Sequence, residues 1–444
     1  MKFSWLMQFV GCMVLTVLMS GCSEQEEILP GKREDIRPTV VVSDRSDAPL
    51  SHRIESREFN LPEVRQNTIW PQFFGTEAFR FEHLALGGDL ELQWSVDIGT
   101  GDSRKQRITA NPVVGGDRIF TLDADALVTA VSLGGEVLWS QDIRPMRDQR
   151  GDATGGGLAY ADDILYVSSG YGQLSALDAK TGETIWRQQL DATGSGPPLV
   201  NDGLVYVVAG DDTGWAIRTE NGRIAWQVAA ASSVANVLGA ASPILAGDHV
   251  VFAFGSGDLI AAFPKGGLRR WAVSLSGQRV GRTISRITDI TGDPVAVGDR
   301  LYVGNHSGQI AALNSSNGER LWTIQEGALD PVWPAGDSIF VISDRSTLLR
   351  LDAQTGQLIW QVELPEFVSD RPNDRTRIYA SHGPVLAGGR LVVTSSDGQI
   401  RFFSPVDGSL LSTLGIRDGA TTSPVIVDAT LYVVSTRGQL HAYR

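Results

Sequence analysis

One phrase returns eight times along this chain: a short apolar run, a Gly/Asp turn, a second apolar run, another turn and, in seven cases, a tryptophan. Three copies show it plainly: "LYVSSGYGQLSALDAKTGETIW" ends at Trp186, "LYVGNHSGQIAALNSSNGERLW" at Trp322 and "IFVISDRSTLLRLDAQTGQLIW" at Trp360. A period of roughly 38–52 residues built from short strands predicts a β-propeller, in which each unit hides its apolar faces against its neighbours.

Two signals give the same count. Trp94, Trp139, Trp186, Trp226, Trp271, Trp322 and Trp360 close seven units, and Ser412 stands at the matching place in the eighth. The unit openings, from "NPVVGGDRIF" to "SPVIVDATLYV", also number eight. Seven of them carry a proline (Pro112, Pro198, Pro243, Pro294, Pro331, Pro384, Pro424), expected at the start of a strand, where a missing N–H costs least. Between the second and third strands a tight turn is expected at Gly172, Gly214, Gly257, Gly308, Gly398 and Gly438, because glycine takes positive φ freely. The run Leu177 to Gly182 reads as the next turn, its Asp178 accepting backbone N–H bonds. The tryptophan then falls on the outer strand, where a large flat ring can cover the joint between blades.

The last unit stops after three strands at Arg444, and "LELQWSVDI" around Trp94 is a fourth strand with no preceding three. Pairing them closes the circle and hides two sheet edges. The expected fold is therefore all-β: an eight-bladed propeller of four-stranded antiparallel blades over residues 88–444, its N-terminal strand completing the last blade. Ahead of it, residues 22–67 are polar, charged and poor in aromatics, as in a flexible tether. Residues 68–87, "TIWPQFFGTEAFRFEHLALG", are aromatic-rich and expected to dock on the ring.

The start of the chain is the second strong signal. Lys2, an apolar stretch from Phe3 to Met19 and then small residues read as an export signal over residues 1–21. It ends Leu18-Met19-Ser20-Gly21-Cys22, which resembles a bacterial lipoprotein signal. Cysteine usage agrees: there are two, Cys12 lies in the segment to be removed, and Cys22 becomes the first residue. Acyl chains on Cys22 would hold the protein to a bilayer, each buried CH₂ contributing about 0.8 kcal/mol. Lipoproteins with Asp after the cysteine are often held at the inner membrane, so Ser23 points to the outer membrane. A net charge of −13 and the lack of a Lys/Arg run argue against nucleic acid.

The pattern "LDAxTGxxxW" after "PVVxGxxxYV" resembles the pyrroloquinoline-quinone-like propeller repeat, over roughly residues 88–444. Joined to the lipoprotein signal, it resembles the BamB family of outer-membrane protein assembly lipoproteins. The resemblance implies a non-catalytic scaffold of the β-barrel assembly machine, lipid-anchored at the periplasmic face of the outer membrane. Such a scaffold binds a POTRA domain of the barrel-forming subunit BamA alongside other assembly subunits, assists insertion of outer-membrane proteins and needs no cofactor; contact with unfolded outer-membrane proteins is a further expectation. In that family the contact is carried by loops between consecutive blades, which here are residues 229–243 and 276–294. Val237 and Leu238 in the first, and Arg286 and Asp289 in the second, are the partner-binding residues it implies. The family's Arg beside the hydrophobic residue is absent here, and Thr291 replaces the second acid of its Arg-Leu-Ser-Asp pattern.

Quinone-dependent dehydrogenases share the repeat, so an enzyme is the main alternative. They need a cation held by carboxylates and commonly an adjacent cysteine pair, which a chain keeping Cys22 alone cannot form. The paired acids Asp123/Asp125, Asp162/Asp163 and Asp211/Asp212 fall where hairpin turns are expected, and turn formation explains them. The six histidines are scattered, with no metal-binding spacing. No nucleophile elbow or phosphate-binding loop appears. A third alternative is a lipid-anchored propeller that binds another envelope partner, or a ligand in its channel.

Overall fold

Each repeat becomes one four-stranded antiparallel sheet, and eight such sheets form the blades of a ring. The structure, a computed structural model, describes residues 57–72, 81–193, 196–231, 240–275, 289–306, 308–369, 371 and 375–444. Blades 1 to 7 are residues 113–142, 156–189, 199–229, 244–274, 292–324, 333–363 and 381–415. Blade 8 joins residues 425–443 to the N-terminal strand Leu92–Asp97.

Burial follows position in the blade. The second strand of blade 2, Ile164–Ser169, is buried along almost its whole length, because neighbouring blades cover both its faces. The outer strand Thr184–Gln189 alternates exposed and half-buried residues and carries charge and amide groups on the open side. The short first strands lie against those of neighbouring blades and so surround the axis.

Blade 8 closes as the orphan strand requires. Trp94 stands opposite Ala442, Ser95 opposite His441 and Val96 opposite Leu440. The N–H groups of Glu91 and Arg444 donate to each other's carbonyls, both at 3.0 Å. The C-terminal strand Gln439–Tyr443 thus becomes an interior member of the sheet, and the N-terminal strand becomes its outer edge.

The tryptophans lock the other joints. Each indole Nε1–H donates to a carbonyl in the third turn of the next blade, at 2.8–3.2 Å: Trp94 to Leu133, Trp139 to Ala179, Trp186 to Thr219, Trp226 to Pro264, Trp271 to Ser315, Trp322 to Ala353 and Trp360 to Pro405. The ring covers a glycine of that turn, such as Gly182 under Trp139, whose φ is +78° and where a Cβ would come within 2.6 Å of the ring. Glycine is required there both by backbone conformation and by contact. Seven tryptophans serve seven turns. Ser412 of blade 7 faces blade 8, whose third and fourth strands are the two chain ends, so no turn exists to receive an indole.

Three details differ from expectation. Gly214 lies within the strand Thr213–Arg218, and Asp212, at φ +61°, takes the left-handed turn position in blade 3. A side chain at 214 would come within 2.7 Å of Phe252, so that glycine answers to packing. Pro294 and Pro384 sit inside strands, at the pairing irregularities Gly292/Val295 and His382/Val385, where the ladder is already interrupted. Contact with the ring also begins earlier than residue 68: Phe59 and Asn67 are buried, and Arg57 pairs with Asp337 at 2.9 Å and with Asp352. Apart from Phe59, which packs edge-on against Phe340, these are contacts of polar groups and backbone, which apolar patterning does not flag.

Candidate interaction surface

The ring has two unlike faces. On one, the turn face, lie the turns between first and second strands and between third and fourth strands. They are tied to each other by N–H to carbonyl bonds such as Ala179 to Asp163, Thr219 to Gly203 and Ala353 to Asp337, at 2.9–3.0 Å. On the other, the loop face, lie the second turns and the links between blades. There the residue after each outer strand donates to the second turn of its own blade: Ile143 to Ala126, Leu190 to Gly172, Leu275 to Gly257, Leu364 to Ser346 and Ile416 to Gly398, at 2.8–3.1 Å. This repeated tie gives these interblade links a fixed point of departure.

The links 229–243 and 276–294 both leave the loop face, on either side of blade 4. Val237, Leu238 and Arg286 lie outside the described residues. Asp289 is described and buried, at 3 % exposure; its carbonyl accepts the N–H of His306 at 2.8 Å. It sits at the root of its loop, as does Thr291, whose hydroxyl donates to the Ala328 carbonyl at 2.9 Å. The side chain of Asp289 is therefore placed to shape the loop rather than to form its outer surface.

Between the roots of these two links opens a crevice of about 290 Å³. Ala229, Ala230 and Ala231 form one wall; Asp258, Ile260, Arg269, Ala272, Val273 and Ser274 of blade 4 form the other. Arg269 spans it and donates to the Ala229 carbonyl at 3.2 Å. The volume lies at the lower limit of small-molecule sites, so it suits one or two side chains of a partner. Nothing in the repeat marks this crevice, because it depends on how two blades splay at the rim.

The acids considered for chemistry have structural duties. Asp123 is buried and accepts N–H bonds from Thr100 at 2.7 Å, Asp125 at 2.8 Å and Leu127 at 2.7 Å; burial pushes its carboxyl above the usual value. Asp125 accepts from Gly151 at 3.0 Å, and Asp212 from Gly255 of the next blade at 2.8 Å. Asp162 and Asp163 occupy left-handed turn positions at φ +50° and +60°. Among the described residues no three His, Cys, Asp or Glu side chains gather as a metal site would need.

A set of polar ties around the axis was not singled out from sequence. Asn111, Asp293 and Asp330 each precede an opening proline, and each accepts the N–H of the residue preceding the proline of an adjacent blade: Ser423, Ser242 and Gly383. Asp293 is buried, and burial, with the charge of Asp330 adding to it, pushes its carboxyl up to about 8. The signal was visible as Asn-Pro and Asp-Pro in some openings and Ser-Pro or Gly-Pro in others.

Arg350 breaks the repeat. In six blades the residue opposite the outer-strand tryptophan is alanine: Ala130, Ala176, Ala216, Ala261, Ala312 and Ala442. Blade 6 places Arg350 there, fully buried, opposite Trp360. Blade 7 places Phe402 there, opposite Ser412. Aligning the repeats would have exposed both exceptions.

The fold and site define a closed eight-bladed propeller that presents loops and a rim crevice to its surroundings. The family model described as "Outer membrane protein assembly factor BamB" matches residues 124–362 and 343–444, and the chain belongs to that family. It is similar to the outer membrane protein assembly factor BamB of Moranella endobia, with 22 % identity over 79 % of this chain and 89 % of the relative. Against the factor of the same name from Burkholderia pseudomallei the figures are 25 %, 80 % and 88 %. Among solved structures, BamB from Moraxella catarrhalis superposes with a TM-score of 0.66 at 19 % identity, over 80 % of this chain and all of that one. A europium-containing methanol dehydrogenase gives 0.65 at 14 % identity, over 85 % and 98 %, a likeness that speaks to the fold alone.

Proposed function

We propose that this protein is a non-catalytic binding platform of the machinery that assembles outer-membrane β-barrels, and that it meets a POTRA domain of the barrel-forming subunit BamA through its loop face. The observation that carries this reading is the pairing of the links 229–243 and 276–294 on one face, with a crevice of mixed polar and apolar lining between their roots. A rigid ring fixes the described roots of both links, at residues 229–231, 240–243 and 289–294, so their points of departure need no ordering on docking. Val237 and Leu238 supply the apolar anchor, Arg286 the polar rim, and Asp289 the base that sets the second loop's course. Relatives that span nearly the same length carry the name of assembly factor, which supports the same role.

Acylation at Cys22, after removal of residues 1–21, anchors the platform at the periplasmic face of the outer membrane, and the residues that follow span the distance to the ring. Co-purification from detergent-solubilised outer membranes tests the partner. The barrel-forming subunit is expected with the wild-type chain and at least fivefold reduced with Val237→Asp combined with Leu238→Asp. Equal recovery with the variant rejects this face, and recovery of a different envelope protein alone rejects the partner. Cys22→Ala is expected to release the protein from membranes in unchanged, folded form.

A further inference from the structure

The two blades that break the repeat at the alanine position are the two that grip the residues ahead of the propeller. In blade 6, buried Arg350 donates from Nη1 to the carbonyl of Arg57 at 3.1 Å and from Nη2 to that of Glu58 at 3.3 Å. The same guanidinium bonds Ser338 at 2.9 Å and the Val406 carbonyl at 3.0 Å, and lies 4.9 Å from the centre of the Phe59 ring. Arg57 reaches outward to Asp337 and Asp352 of the same blade. In blade 7, Arg390 stacks 4.5 Å over Phe402 and donates to the carbonyls of Gly87 and, at 2.8 Å, Gly88. An arginine fork suits pairs of adjacent carbonyls, and a buried one needs them, since an unpartnered guanidinium inside a protein is costly.

Between these two grips the segment works along the inner strands. Trp70 exchanges both backbone bonds with Val114 of blade 1 at 2.8 Å. Pro71 accepts from Tyr160 of blade 2 at 2.7 Å, and the Gln72 amide from Val200 of blade 3 at 3.0 Å. Asn67 accepts the N–H of Asp428 and donates to the Ile426 carbonyl of blade 8, at 2.9 and 2.8 Å. Glu82 accepts from the Trp333 indole of blade 6 at 3.0 Å, and Leu84 pairs with blade 7 beside Ala387. His83 Nε2 accepts the Gly389 N–H at 2.8 Å, while its Nδ1 meets the Pro62 carbonyl at 2.8 Å. At Gly388 a Cβ would stand 2.4 Å from the Leu86 carbonyl oxygen, so the approach of the two backbones is close. Trp70 and Leu84 end with 1 % and 0 % of their surface exposed.

All these contacts are at the turn-face ends of inner strands, and they reach blades 6, 7, 8, 1, 2 and 3. We propose that blades 6 and 7 carry a built receptor for an extended peptide, and that its occupant is this chain's own residues 57–72 and 81–90, which clamp the ring from inside. The inference rests on the fold and is independent of which partner the loops bind.

A protease site inserted between Gly88 and Asp89 of the otherwise complete chain tests it. After cleavage the strap is expected to stay with the ring through gel filtration. It should exchange slowly with an excess of fluorescent synthetic peptide of residues 57–88. Arg350→Met should speed that exchange at least tenfold, and Arg57→Ala, which leaves the ring interior intact, about threefold. Loss of the strap on cleavage with an unchanged circular dichroism spectrum overturns the proposal, as does exchange at the wild-type rate in Arg57→Ala and any folded Arg350→Met. Unfolding of the ring as the strap departs supports the clamp.

Discussion

Seven joints of this ring and the eighth are closed by different chemistry. At joints such as that between blades 2 and 3, an indole donates to a turn carbonyl and lies on a glycine. Between blades 7 and 8 the chain ends stand where that turn would be, and Ser412 replaces the indole. Blade 8 is closed within itself by strand pairing between Leu92–Asp97 and Gln439–Tyr443, and its joint to blade 7 is held by the Thr394 hydroxyl, which donates to the Thr422 carbonyl at 2.7 Å, and by Arg390, which holds the carbonyls of Gly87 and Gly88 just ahead of that strand. The lesson is local: a repeated side chain persists where its receiver is repeated, and disappears where the receiver is absent.

The largest effect should come from exchanging the two chemistries. Trp186→Ala removes a half-buried indole, its hydrogen bond and its cover over Gly222, and is expected to cost about 2–4 kcal/mol by urea unfolding. Ser412→Trp is expected to change stability by less than about 0.5 kcal/mol, because no turn waits for it. A stabilisation from Ser412→Trp equal to the loss at Trp186 would break the comparison.

Glycine gives a second contrast. Gly182→Ala forces a Cβ against the Trp139 ring at φ +78°, at an expected cost of about 1–3 kcal/mol. Gly415→Ala, on the outer strand facing blade 8 with open space around it, should be close to neutral. Thermal melts of the two variants read this directly.

The smallest expected effect concerns the inner ties. Asn111 accepts the Ser423 N–H at one joint, and Asp293 does the same for Ser242 at another. An aspartate whose native value is raised from 3.8 to about 8 keeps a proton in the fold that the unfolded chain releases. Stability is therefore lost as pH rises from about 4 towards 8, and no such loss exists below that window. Asp293→Asn keeps the acceptor and removes the titration. It should stabilise the protein by on the order of 1 kcal/mol at pH 8 and hardly at all at pH 4. An equal gain at both values would assign the effect to packing instead.

Much of this architecture was legible because the repeat writes each strand, turn and indole eight times or nearly so, and an odd strand at each end states how the circle closes. Trp186 and Gly182 could be placed from spacing alone. Gly214 could not, since one residue separates the turn from the strand and only the contact with Phe252 decides which demand it meets. Asp289 read as a contact residue because its neighbours resemble a family pattern, whereas its burial depends on where the loop turns inward. Arg350 and Phe402 were hidden because strand propensity tolerates both, and what makes them exceptional is the alanine that other blades carry. The contacts of residues 57–67 were hidden for a related reason: backbone carbonyls hold them, and carbonyls leave no trace in composition.

Native-state hydrogen exchange on the complete chain tests the closed ring most directly, by comparing the amides of Gln439–Tyr443 with those of Thr213–Arg218 in the middle of blade 3. A latch as tight as the tryptophan joints predicts protection within tenfold for the two strands. Exchange of the terminal strand several hundredfold faster, at the rate of an unpaired edge, would contradict it.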